Sequence, residues 1–138
     1  MAAEVRKVGS YSAQVANKAG EGARVLGALR DAGVNLVAFW GYPVGRGRAR
    51  LEFVPENEAS FLAAAKQAKL KLSKKRDAFC VQGDDQPGAV ADVMAKLAAA
   101  KINVEAVQGA SAGSGRFGAV LSMSPAGTRK AAGVLGVA

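Results

Sequence analysis

Residues 84–108 read DDQPGAVADVMAKLAAAKINVEAVQ. A short acidic run ends in Pro87-Gly88, an alanine-rich stretch follows, and Ile102-Asn103-Val104 comes after it. Val90, Val93, Met94 and Leu97 fall at i, i+3, i+4 and i+7, which is one apolar face of a helix. Pro87 presets the angle of the turn before that helix and forfeits an N–H that the first turn does not need. The stretch therefore predicts a turn over Asp85–Gly88, a helix beyond it, and a strand in INVEAVQGA, residues 102–110.

The chain carries this pattern a second time. At an offset of 68 residues, Gly20 meets Gly88, Ala23 meets Ala91, Val25 meets Val93 and Leu29 meets Leu97. Asn35 meets Asn103, Ala38 meets Ala106, Gly41 meets Gly109, and Gly45, Gly47 and Arg48 meet Gly113, Gly115 and Arg116. Each copy predicts a first strand (SYSAQVA, residues 10–16, or DAFCVQG, 77–83), a turn, and a helix. In the first copy the apolar face is Gly22, Val25, Leu26 and Leu29, and Gly33 is the expected C-terminal cap, a place held by Lys101 in the second. A strand, a Gly-rich hairpin turn and a further strand (RARLEFV or RFGAVLS) follow. A second helix, ENEASFLAAAKQAKL, is introduced by Pro55, and LKLSK, residues 70–74, is a possible closing strand.

The order β-α-β-β-α-β is that of a ferredoxin-like sandwich, an antiparallel sheet with both helices on one face. The fold class expected is α+β, two such sandwiches in tandem, with domains at 1–74 and 75–138. The second copy stops where its last strand is due, after a weak helix beyond Pro125. The segment EVRKVG, residues 4–9, has no place in the first copy and is expected to supply the missing edge strand of the second. Neither side of the strand from Val34 to Phe39 is polar throughout, so the far side of the first sheet is expected to be covered. Trp40 and Tyr42 read as core or as a subunit interface. Side-by-side pairing of the copies into one larger sheet is the first arrangement expected, and a homodimer of tandems the second.

With order and turn in hand, the second copy resembles the ACT domain family. Asp85-Gln86-Pro87-Gly88, an amphipathic helix and Ile102-Asn103-Val104 are similar to that family's D-x-P-G … G-I-N-I pattern, with Lys101 in place of the usual Gly. The first copy, Asn17-Lys18-Ala19-Gly20 and Gly33-Val34-Asn35-Leu36, has Asn for the Asp and Ala for the Pro. The resemblance implies a regulatory sensing module that binds an amino acid where two copies meet and controls an enzyme, a transporter or a transcription factor.

The residues themselves suit such a role. A turn ending in Gly at a helix start leaves backbone N–H groups free at the positive end of the helix dipole, a place that suits a carboxylate. Gly20 and Gly88 let a ligand come close to the backbone. Asn35 and Asn103 are expected to begin the next strand at the layer where the turn ends, and a side-chain amide reads either an ammonium or a carboxylate. Asp85 could pair with an α-ammonium, whereas Asn17 could only hydrogen-bond to it. The expected ligand residues are thus Asn17, Lys18, Ala19, Gly20, Glu21, Gly22 and Asn35, with Asp85, Gln86, Pro87, Gly88, Ala89, Val90 and Asn103. The alternative reading is geometric: Asn17 and Asp85 would cap their helices, and Asn103 would satisfy backbone groups at the strand's edge.

Composition narrows the rivals. There is no histidine and one cysteine, so disulfide frameworks within the chain, zinc clusters and His-based triads are excluded, and Cys80 reads as a core residue. General acid–base work would fall on Asp84, Asp85 and Glu105 or on lysine, and no enzymatic activity is expected. No cofactor or metal is expected. The net charge of +8 gathers in KQAKLKLSKKR, residues 66–76, and in Arg46, Arg48 and Arg50. Such runs read first as solvated faces and second as a polyanion site. An RNA-recognition module shares the topology, and Arg116-Phe117-Gly118 faintly resembles its third-strand signature, but aromatic residues are only 6% of the chain. No apolar run approaches the ~20 residues of a membrane helix and no secretory segment opens the chain, so a cytoplasmic protein is expected. The expected partners are an amino acid or similar small ligand, a second copy of the chain, and a regulated enzyme or transporter. Nucleic acid is not among them; a purely structural protein-interaction module is a further alternative.

Overall fold

The computed structural model describes residues 3–137. Its elements run β1 (Glu4–Ala16), α1 (Glu21–Asp31), β2 (Leu36–Gly45), β3 (Arg48–Pro55), α2 (Glu58–Gln67), β4 (Arg76–Asp84), α3 (Ala89–Ala99), β5 (Ala106–Gly113), β6 (Arg116–Ser122) and α4 (Pro125–Leu135). The architecture is α+β, with antiparallel strand pairs in which β3 joins β1 and β2, and β6 joins β4 and β5. Two compact units divide the chain: Gly9–Arg76, and Met1–Val8 with Asp77–Ala138.

In the unit Gly9–Arg76 the strand order is β2-β3-β1. Alternation sends Tyr11, Ala13 and Val15 of β1, with Leu51 and Phe53 of β3, to one face, where Val25 and Leu29 of α1 and Phe61 and Ala64 of α2 cover them. Phe53 lies 5.3 Å from both Phe39 and Phe61, measured between ring centroids, so three rings form the middle of this core. Leu26, expected inside, is 37% exposed: the buried stripe of α1 narrows to Val25 and Leu29. Pro55 ends β3 and does not open the helix after it. Asn57 caps α2 instead, its side chain accepting from the Ser60 N–H at 2.9 Å. Residues 70–75 are irregular, but the Ser73 N–H donates to the Ser12 carbonyl at 2.8 Å, and Leu70 and Leu72 pack on the core.

A polar cluster pins α2 to β1. The buried Tyr11 hydroxyl donates to Glu58, which also pairs with Lys75 at 3.2 Å. Burial, with the hydrogen bond to the Glu58 carboxylate, pushes the Tyr11 phenol up to about 12. Glu58 is held below its ordinary value by the Tyr11 and Lys75 bonds. A phenol that resists ionisation when folded stabilises the fold fully below its unfolded pKa, and that contribution is lost as pH rises through the folded value. Urea unfolding is therefore expected to show a stability loss between pH ~10 and ~12 that Tyr11→Phe reduces; an identical alkaline profile in the variant would refute the assignment.

In the other unit the order is β1-β4-β6-β5, and of β1 only residues 4–8 belong to it. Phe79 and Val81 of β4 and Phe117, Ala119 and Leu121 of β6 face Val93 and Leu97 of α3 and Ala131 of α4. Ala3 and Val5 pack against the same core, and Lys7 lies 3.5 Å from Asp77. The expected domain bounds, 1–74 and 75–138, include residues 1, 2 and 138, which lie outside the described residues. Helix α4 begins at Pro125, capped by the Ser124 side chain, which accepts from the Gly127 N–H at 3.1 Å. Both hairpins close on the same two-residue turn with positive φ at each position: Arg46 and Gly47, at 55° and 70°, and Ser114 and Gly115, at 56° and 67°. Among the described residues no helix is long and apolar enough to cross a membrane.

Candidate functional site

Each unit turns from strand to helix in the same way. The Asn17 N–H donates to the Gly47 carbonyl and the Asp85 N–H to the Gly115 carbonyl, both at 2.8 Å, so each turn is fastened to the hairpin of its own unit. Gly20 (φ 90°) and Gly88 (φ 83°) are the N-caps of α1 and α3, in the left-handed region that glycine tolerates. Neither helix has a side-chain cap. The reading of Asn17 and Asp85 as helix caps is thereby corrected: the caps are glycines. The Glu21 N–H bonds to the Lys18 carbonyl at 3.4 Å and the Ala89 N–H to the Gln86 carbonyl at 3.2 Å, which leaves the N–H groups that follow them in each first turn to bind an anion.

At the second turn these groups border a cleft. Asp85, Gln86, Gly88, Ala89, Val90 and Ala91 form one wall, and Gly109–Ser111 of β5 with Phe117 form the other, around about 380 Å³. The cleft thus gathers five of the expected ligand residues of this unit, Asp85, Gln86, Gly88, Ala89 and Val90, and leaves Pro87 out of its lining. Asp85 is exposed and has no ion-pair partner among the described residues, whereas the neighbouring Asp84 pairs with Arg116 at 3.1 Å. Cα–H edges at Gly109 and small side chains at Ala110 and Ser111 keep the β5 wall low. Sequence reading had not picked out these three, although Gly109 was visible as the counterpart of Gly41. In the first turn Glu21 is engaged by Arg24 at 2.6 Å, Lys18, Ala19 and Gly20 are exposed, and Gly22 is half-buried.

The two asparagines are not with the turns of their own units. Asn35 precedes β2 and bonds to the far end of β3: its side-chain amide donates to Glu56 at 2.9 Å, and its carbonyl accepts from the Glu56 N–H at 3.0 Å. Asn103 is exposed, two residues before Glu105, whose N–H donates to the Ser122 carbonyl at 2.9 Å. The Asp85 turn sits at the Arg116 end of β6 and Asn103 near the Ser122 end, about 20 Å apart at ~3.4 Å per residue. The expected layer shared by turn and asparagine is corrected accordingly. The strands also start later than expected, at Leu36 and Ala106. Glu105 is likewise at the far end from Asp84 and Asp85, so the three carboxylates form no acid–base set.

Two other expectations change. Phe117 is buried in the core beside Phe79 and Leu121, so the Arg116-Phe117-Gly118 likeness presents no ring for a base. Trp40 and Tyr42 are not core: they alternate with the buried-side Phe39, and Tyr42 is 37% exposed. Cys80 is buried. Among the described residues no group of three or more Cys, Asp or Glu is placed to hold a metal.

No protein-family model matches the sequence, and no curated protein matches it. Solved structures do. Protein BT0572 from Bacteroides thetaiotaomicron is 22% identical over 97% of this chain and 88% of its own, with a TM-score of 0.80. The ligand-free regulatory subunit of aspartate kinase from Thermus thermophilus is 14% identical over 99% of this chain and 95% of its own, with a TM-score of 0.67. What the chain shares with it is the α+β fold. The regulatory subunit of aspartate kinase from Thermus flavus gives 15%, 99%, 95% and 0.60 in the same terms. The likeness is one of fold, and it spans nearly the whole of each regulatory subunit.

Proposed function

We propose that this chain is a regulatory sensor built of two ACT-like repeats, with no catalysis of its own, which binds an amino acid between two such units. The carrying observation is the separation just described. Beyond the Asp85 turn, the first-turn N–H groups that follow Ala89 face a zwitterion's one end and the Asp85 carboxylate its other, while the asparagine that would complete the grip lies at the other end of the same unit. A second unit must bring it.

The edge strand supports this reading. Every residue of β5 is exposed, and AVQGASAG, residues 106–113, holds no charge and no proline, the usual guards of a free edge. Antiparallel pairing of β5 with β5 of a second copy sets Ala106 of one against Gly113 of the other. The second copy's Asn103 then comes to the Gly113 end, where the Asp85 turn is fastened. A ligand shared in this way favours the paired arrangement, so ligand concentration is read as association. The recurrence of the turn bonds 68 residues apart, from Asn17 to Gly47 and from Asp85 to Gly115, supports an internal duplication. The fold neighbours named as regulatory subunits of aspartate kinase support an enzyme as the regulated partner.

A thermal-shift screen of the proteinogenic amino acids tests the proposal. A true ligand at ~100 times its dissociation constant stabilises by about 2.7 kcal/mol. Asp85→Ala is expected to remove that shift while leaving the unliganded melting temperature within about 2 °C, because surface substitutions of this kind stay near ±0.5 kcal/mol. Silence from every amino acid would favour a protein-interaction module instead.

A further inference from the structure

The sensor reading leaves two sequence features unused: the Arg46, Arg48 and Arg50 group, and the pair Trp40 and Tyr42. The structure brings them together. In the unit Gly9–Arg76, α1 and α2 cover the sheet face that carries Tyr11, Ala13, Leu51 and Phe53. The opposite face therefore carries the alternate residues. Tyr42 stands opposite Arg50, which stands opposite Gln14, and Trp40 stands opposite Glu52. Arg48 faces Gly45 and Ala16 in the same register, and Arg46 is at the hairpin tip.

This end of the face is open. Tyr42, Val44, Gln14 and Arg48 are exposed, and Trp40 and Arg50 are half-buried, while at the other end Ser10 and Val54 are buried. Arg48 has no ion-pair partner among the described residues. The Tyr42 hydroxyl donates to Glu52 at 2.6 Å and so occupies the one carboxylate on this face. Charge is also divided between the units. Twelve of the nineteen basic residues but five of the eleven acidic ones lie in Gly9–Arg76, a net +7 against +1 for the rest.

The geometry points to single-stranded nucleic acid as the occupant of this face, with Trp40 and Tyr42 as stacking rings and Arg46, Arg48 and Arg50 on the phosphates. Rings flanked by guanidinium groups on an open sheet match a chain of alternating flat bases and negative charges. A second copy docking here would set Arg48 and Arg50 against their own like charges. An acidic polypeptide would satisfy the arginines but give the rings no flat partner. The low aromatic count, which argued against nucleic acid at the sequence level, matters less once two of the eight rings share one basic face. This face shares no residue with the Asp85 cleft, and the proposal does not rest on amino-acid binding.

Trp40 is the only tryptophan, so its emission reports on this face alone. The full chain is titrated with 20-nucleotide oligo(U) and oligo(dT), and with heparin as a polyanion without bases. Both oligonucleotides are expected to quench Trp40, with binding that weakens steeply as salt rises. If oligo(U) alone quenches, the occupant is RNA; if both do equally, the 2′-hydroxyl is not read. Arg48→Gln with Arg50→Gln should weaken binding of labelled oligo(U) at least tenfold and lower the salt slope by about 1.4. Trp40→Leu should weaken it by roughly tenfold to a hundredfold, the worth of one stacked base. Lys69→Gln with Lys71→Gln, which removes equal charge elsewhere in the unit, should leave binding within about threefold. The proposal is overturned by heparin competing without any quenching by oligonucleotides, by equal losses in the lysine and arginine pairs, or by no binding at ~50 mM salt. Circular dichroism of each variant separates these results from misfolding.

Discussion

Phe53→Ala is expected to destabilise the chain by about 3–5 kcal/mol, the usual result of deleting a buried aromatic ring from a packed core. Phe53 is fully buried and touches rings on either side, Phe39 from β2 and Phe61 from α2. The cavity would open where the sheet meets the helix, and neither neighbour can collapse into it without leaving its own strand or helix position. Differential scanning calorimetry should find the melting of the affected unit lowered by about 10 °C or more. A loss below about 1 kcal/mol would mean that the three rings do not form the centre of the Gly9–Arg76 core. Because the chain has two units, the scan should be fitted for two transitions before a single value is drawn from it.

The second large effect is expected at the edge of the other unit. Val107 is 43% exposed and lies outside the Asp85 cleft of its own unit. Val107→Lys should therefore leave the monomer's fold intact. In a strand paired with its own copy, however, it puts one lysine from each chain on the same seam, and inward charge on an edge opposes such pairing. Sedimentation with the ligand found in the thermal screen should show the unsubstituted chain as a dimer and the variant as a monomer. Its affinity for the ligand should fall about a hundredfold, since the second unit would no longer bring its asparagine. If the variant stays monomeric and binds the ligand as well as the unsubstituted chain does, the shared site is wrong.

How much of this could be read from residues alone follows from what each residue does. The turn glycines were legible because Gly20, Gly33 and Gly88 do need positive φ, at 90°, 74° and 83°. Lys69 and Lys101 take the same left-handed conformation at the ends of α2 and α3, at 59° and 60°, and nothing in a lysine announces it. The early start assigned to β5 came from the apolar pair Ile102 and Val104. Ile102 instead closes the end of α3: its N–H donates to the Leu97 carbonyl and its side chain is buried. Val34 does the same for α1 through the Leu29 carbonyl. Apolar alternation therefore meant helix-end packing at these residues and strand only beyond them. The cleft was half legible. The turn supplies one wall from consecutive residues, but the other wall comes from β5, which is brought alongside by pairing with β6. The asparagines were found and misplaced, because a motif gives their spacing along the chain and only the register of β3 and β6 tells which end of the sheet they reach.

The most direct measurement of the central claim mixes two defective chains. Asp85→Ala loses the turn's carboxylate and Asn103→Ala loses the distal amide, and neither alone should bind the ligand by titration calorimetry. Once the two are mixed and allowed to exchange, half the dimers carry one chain of each kind, and each of those holds one intact cleft. The account predicts that about a quarter of the original binding capacity returns, at undiminished affinity. Full binding by Asn103→Ala alone, or no recovery in a mixture whose chains have exchanged, would contradict it.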